Sequence, residues 1–128
     1  MTLFCYGSEN EKPVLQFSPC RKTHDIQWED WNHGEYLFVP KTDCIKLLKD
    51  KIDKIFPNND PDDNGLQEKF DVSSIFWIGK NDWMKLIEII ENDIDKINIE
   101  IEMRFYNEFK NWINKQLMTV EIIVVDGW

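Results

Sequence analysis

Alanine is absent from the 128 residues, and arginine occurs only at Arg21 and Arg104. We read this as AT-rich coding bias of the kind carried by horizontally mobile bacterial genes, an inference from genetics and not from physics. Cysteine is scarce as well: Cys5, Cys20 and Cys44 make an odd, widely spaced set, which excludes a secreted disulfide framework. Long apolar runs are missing. The longest, Ile75–Ile78 and Ile122–Val125, fall far short of a membrane span. Met1 to Asn10 has no basic stretch followed by an apolar core, as a signal peptide would. The expected location is therefore cytoplasmic. Positive charge is in short supply, with Lys plus Arg 15 against Asp plus Glu 24 and a net charge of −9. A nucleic-acid binder or an anionic-membrane binder needs a basic face, so both are disfavoured. A phosphate-binding glycine-rich loop, a Gly-x-Ser-x-Gly elbow and a His-Glu-x-x-His pair are all missing, and nothing recommends an enzyme.

What is present suffices for a folded domain. Hydrophobic residues make up 42% and aromatics 13%, against the profile of a disordered chain. The length fits one domain over residues 1–128. Thr2–Tyr6 and Val14–Phe17 read as edge strands or extended segments, and Tyr36–Val39 as a strand closed by Pro40. Thr42 or Asp43 can cap a helix whose apolar stripe runs Ile45, Leu48, Ile52 and Ile55, widened by Cys44 and Leu47 and stopped by Pro57. Residues 57–65 carry every turn signal, and Val72–Ile78 reads as a strand stopped by Gly79. Asn81 or Asp82 is the expected cap of a second helix. One helix from Asn81 to Leu117 would be about 55 Å long, against a domain diameter of roughly 35 Å. A break within 97–102 follows, although Ile97 to Phe105 fits both a strand alternation and a helical stripe. A last helix from about Arg104 to Leu117 and a central or well-covered strand over Val120–Val125 complete the chain. The fold class is α+β: a small, mostly antiparallel sheet packed with about three helices. Ile45, Leu48, Ile52, Ile90, Phe109, Trp112, Ile122 and Val124 are the expected core.

Three patterns carry candidate chemistry. Asp60-Pro-Asp62-Asp-Asn64-Gly65 has oxygen ligands at alternate positions and a glycine at the sharp turn, and Asp71 falls where a closing acid would sit. Over these twelve residues the spacing resembles the EF-hand calcium loop. It departs from that loop at Gln67, which stands in place of an apolar residue, at Asp71 in place of Glu, and at Pro57, which stops the preceding helix. The competing reading is a solvated acidic turn. Cys20, His24, His33 and Cys44 include zinc-ligand types without a close Cys-x-x-Cys pair. Cys20 with His24 has no identifiable third group for nucleophilic catalysis. Buried free cysteines and surface histidines are the simpler reading, and neither a metal nor a cofactor is expected. The third pattern is Trp28-Glu29-Asp30-Trp31-Asn32-His33-Gly34-Glu35-Tyr36. Aromatics interleaved with charge are the composition of protein–protein hot spots, unless both Trp are core anchors with solvated acids at their edge.

In size, acidity, composition bias and absence of a catalytic motif, the whole chain resembles bacterial immunity proteins, which neutralise the toxins of contact-dependent inhibition and other polymorphic toxin systems. The resemblance is one of class, and no signature residue carries over. It implies a cognate toxin as partner, a basic nuclease being the type an acidic chain would complement. The partner-binding residues expected on this reading are Trp28, Glu29, Asp30, Trp31 and Glu35, extended by Asp60, Asp62 and Asp63. The alternative is a calcium-binding or calcium-stabilised module using Asp60, Asp62, Asn64 and Asp71.

Overall fold

In the computed structural model, which describes residues 1–31, 35–62 and 65–127, four strands form one antiparallel sheet. They are β1 (Val14–Cys20), β2 (Leu37–Pro40), β5 (Ile75–Gly79) and β6 (Ile122–Gly127), in the order β2-β1-β6-β5. Two short strands, β3 (Asn58–Asn59) and β4 (Leu66–Gln67), pair separately. Helix α1 covers residues 41–53, α2 is Lys80–Ile94 and α3 is Glu100–Leu117. The fold is α+β: the described residues form a small antiparallel sheet and three helices.

Strand alternation assigns the two faces. Leu15 and Phe17 of β1, Ile123 and Val125 of β6, and Phe76 and Ile78 of β5 join the core packed by the helices. Ile122 and Val124 point the other way and form a second cluster with Cys20 and Trp31. An unbroken apolar run in β6 is what a strand buried on both faces needs, and β6 does lie between β1 and β5. Strand β1 is longer than its apolar stretch and is central, not an edge. It tolerates Pro19 because the β2 ladder ends at the Phe17–Leu37 pair. The missing N–H falls beyond that ladder, while Pro19 still faces Ile123 on the β6 side.

Helix α1 departs from its expected start and phase. It begins at Lys41 with Pro40 in the cap position, and neither Thr42 nor Asp43 caps it. Thr42 donates its hydroxyl to Glu11 Oε1 (2.5 Å). Asp43 is fully buried and accepts N–H bonds from Cys5 (2.8 Å), Tyr6 (2.7 Å) and Gly7 (3.1 Å). The N-terminal segment is thereby held on the sheet, where Leu3 donates to the Phe38 carbonyl and Phe38 to that of Met1, each at 2.9 Å. Gly7 is required there: a Cβ would lie 2.1 Å from Glu11 Oε2 and 2.8 Å from the Pro40 ring. Within α1, Cys44–Leu48 winds as a π-turn, whose wider step shifts the buried stripe. Cys44, Leu47, Leu48 and Ile52 face inward, and Ile45 is half exposed. Ile45 therefore leaves the expected core; Leu48, Ile52, Ile90, Phe109, Trp112, Ile122 and Val124 are all buried.

Helix α2 likewise starts earlier than its side chains suggest. Gly79 is its cap residue, because Lys80 donates its N–H to the Glu121 carbonyl at 2.7 Å and continues straight out of β5. The expected break falls at residues 95–99, and α3 begins at Glu100 instead of near Arg104. The Ile97–Phe105 alternation is thus no strand. Its exposed members belong to the start of α3: Ile99 is the cap residue, and Ile101 and Met103 lie in the helix. Trp83 donates its indole N–H to the Ile78 carbonyl (2.9 Å), and Phe109 meets Phe17 edge-on at 5.5 Å, so α2 and α3 both anchor on the sheet. Gln67 closes the outer edge of β5 by accepting the Trp77 N–H (3.2 Å) and donating to the Trp77 carbonyl (2.9 Å). One side-chain amide thus replaces a strand neighbour on an edge that would otherwise invite pairing.

Candidate partner-binding face

Segment 21–31 crosses the reverse face of the sheet without regular structure apart from a 3-10 turn at Trp28–Asp30. Its anchor is Trp31, which bridges Cys20 and is buried against Cys20, Ile122 and Val124. Trp28, three residues earlier, is 66% exposed. The two Trp therefore divide the readings left open by the sequence: Trp31 is a core anchor, and Trp28 stands at the surface with exposed Glu29 beside it.

The acids of this region differ as sharply. Asp30 accepts the Gln27 N–H at 2.8 Å and pairs with Lys22 at 3.4 Å, so it shapes the turn from inside. Asp62 reaches across from the turn after β3 and accepts the N–H groups of Asp25 (2.8 Å) and Ile26 (3.4 Å). Asp60 is buried and accepts the Asp62 N–H at 2.8 Å. Asp62 thus joins the turn after β3 to segment 21–31 through Asp25 and Ile26, while the bonds of Asp30 and Asp60 stay within their own turns. Glu29 and Glu35 are exposed. Asp63 lies outside the described residues.

Two residues of this face went unnoticed in the sequence. Asp25 adopts a left-handed backbone (φ 50°), a conformation Asp tolerates better than most residues. Ile26 packs onto the reverse-face cluster. Neither stands out by spacing, since both roles depend on Asp62, 36 or 37 positions away. Beyond them, Thr23, Pro61, Gly79, Asp82 and Glu121 are among the residues lining a cavity of about 270 Å³.

Among the described residues the metal-ligand types do not converge. Asp71 accepts the Ser73 N–H at 2.8 Å, a turn contact apart from the Asp60–Asp62 pair, and Asn64 lies outside the described residues. Among the described residues no three His, Cys, Asp or Glu side chains group as a metal site. Cys20 and Cys44 are buried and unpaired, and His24 is exposed; His33 is not among the described residues. Burial pushes the Cys44 thiol up to about 12. Burial also raises Cys20, partly offset by a hydrogen bond with the Lys22 backbone. Both thiols are held in the protonated, poorly nucleophilic form. Among the described residues no helix is long and apolar enough to cross a membrane. Compared with family models, with curated proteins and with solved structures, the chain matches none.

Proposed function

We propose that this protein is a stoichiometric binding protein: an immunity protein that neutralises a cognate bacterial toxin, a basic nuclease being the toxin type its charge fits. One observation carries the reading. Trp28 is exposed on a turn whose shape is held by the carboxylates of Asp30 and Asp62. A large aromatic held in place before binding loses little conformational freedom on contact, and Trp is enriched among interface anchors. The net charge of −9 steers a basic partner toward the chain. Glu29, next to Trp28 in the chain, and Glu35 are exposed carboxylates, while Asp30, Asp60 and Asp62 bind backbone N–H groups of the turns.

The test is a binding measurement with the basic toxin-like product of a neighbouring reading frame. A 1:1 complex is expected, weakened about tenfold or more by Trp28→Ala, the scale of an interface anchor. Glu29→Lys should chiefly slow association and flatten its salt dependence. Unchanged rates for both variants, with circular dichroism showing the native fold, would remove this face from the interface. No basic partner at all would remove the function.

A further inference from the structure

We infer that Asp62 is a positioning residue for Trp28, acting by gripping the backbone of the turn and not by touching the partner. This rests on the reading of the Trp28 face as a binding surface. Consecutive backbone N–H groups beside a left-handed residue form a small anion-binding concavity. Asp25, at φ 50°, creates one here, and the Asp62 carboxylate fills it through both oxygens. The grip is firm only if Asp62 is itself fixed. Its own N–H is held by Asp60, which is buried and donates its N–H to the Gly65 carbonyl at 2.9 Å. On the far side Asp30 closes the turn by accepting the Gln27 N–H. The path from Asp60 through Asp62 to Asp25 and Ile26 thus ends two residues before Trp28. Without it, the left-handed Asp25 keeps its unfavourable backbone with no compensating bonds, and the segment between Cys20 and Trp31 is free to rearrange.

Asp62→Ala and Asp62→Asn separate a grip from a charge, because Asn loses the charge but keeps an oxygen acceptor. In Asp62→Ala, amide–water exchange at Asp25 and Ile26, read by NMR, should rise at least tenfold, with the Phe17 and Leu48 amides unchanged. Asp62→Asn should restore most of the protection. Titration with hexa-arginine should shift the amides of residues 27–30 in the wild-type protein. The Ala variant should bind it several-fold more weakly, and the Asn variant nearly as well as wild type. Exchange at Asp25 and Ile26 that does not respond to Asp62→Ala overturns the grip. Equal loss of hexa-arginine binding in the Ala and Asn variants makes Asp62 a contact charge and overturns the proposal. If hexa-arginine leaves residues 27–30 of the wild-type protein unmoved, the basic-partner reading of the face fails, and exchange alone decides whether Asp62 holds the turn. Should Asp62→Ala not fold, exchange in Asp62→Asn decides: protection near that of wild type supports the grip, and full loss of protection with the fold retained overturns it.

Discussion

The two faces of the sheet are built from the same strands but coated by different physics. On one side Leu15, Phe17, Ile123 and Val125 meet three helices, and that cover is apolar and periodic. On the other, Cys20, Ile122 and Val124 are covered by segment 21–31, which offers Trp31 and Ile26 to the cluster and no α-helix. A helix satisfies its own backbone, so it needs only an apolar stripe to dock. An irregular segment leaves N–H groups that must find acceptors. Here the acceptors are carboxylates: Asp30 for Gln27, Asp62 for Asp25 and Ile26. The N-terminal segment repeats the solution with Asp43, and the turn before β5 with Asp71. Part of the acidity that sets the chain's net charge is therefore structural, and the number of acids overstates what is displayed to a partner.

The comparison can be broken in three places, beginning with the largest effect. Phe109→Ala, on the helix-covered face, should cost about 3–5 kcal/mol in urea unfolding. Trp31→Ala on the reverse face should cost less, because an irregular cover relaxes into the space more readily than a helix. Equal losses would mean that the two faces are one cooperative core. Next, Asp43→Ala leaves the N–H groups of Cys5, Tyr6 and Gly7 without their acceptor. At about 1–3 kcal/mol for a buried unpaired donor, and with local relaxation, a loss of about 3 kcal/mol is expected. Asp43→Asn, which keeps one oxygen, should lose clearly less; identical losses would show that negative charge, and not hydrogen-bond acceptance, holds the N-terminal segment. The smallest effect belongs to Ile45. With half of its surface exposed within the π-turn, Ile45→Ser should stay within about 0.5 kcal/mol of wild type. A loss of 2 kcal/mol or more would return it to the core.

Where each feature could be read follows from its range along the chain. Helical stripes and the apolar run of β6 are local, and they correctly marked Leu48, Ile52, Ile90 and Phe109 for the helix-side core and Ile122 and Val124 for a well-covered strand. Ile45 failed because a π-turn changes the period by one residue, and nothing in the residue types of Cys44–Leu48 announces that. The caps failed for a related reason. Thr42 and Asp43 have the right chemistry to cap α1, but partners from the N-terminal segment, 31 to 38 residues away, claimed both side chains. Gln67 looked like a defect in a calcium loop, and its amide instead completes the edge of β5 ten residues on.

The sequence by itself determined the α+β class, the number of helices, the central place of β6 and the break between α2 and α3, because periodicity, apolar run length and helix rise act over neighbouring residues. It also marked Trp28–Glu35 and Asp60–Asp63 as places of interest. Only the tertiary structure decided that Trp31 is buried while Trp28 is exposed, and that Asp62 serves the backbone of Asp25 and Ile26. Those outcomes turn on which distant backbone donors lie within about 3 Å of a carboxylate. That competition is settled by where the chain folds back on itself, and the residue types alone leave it open.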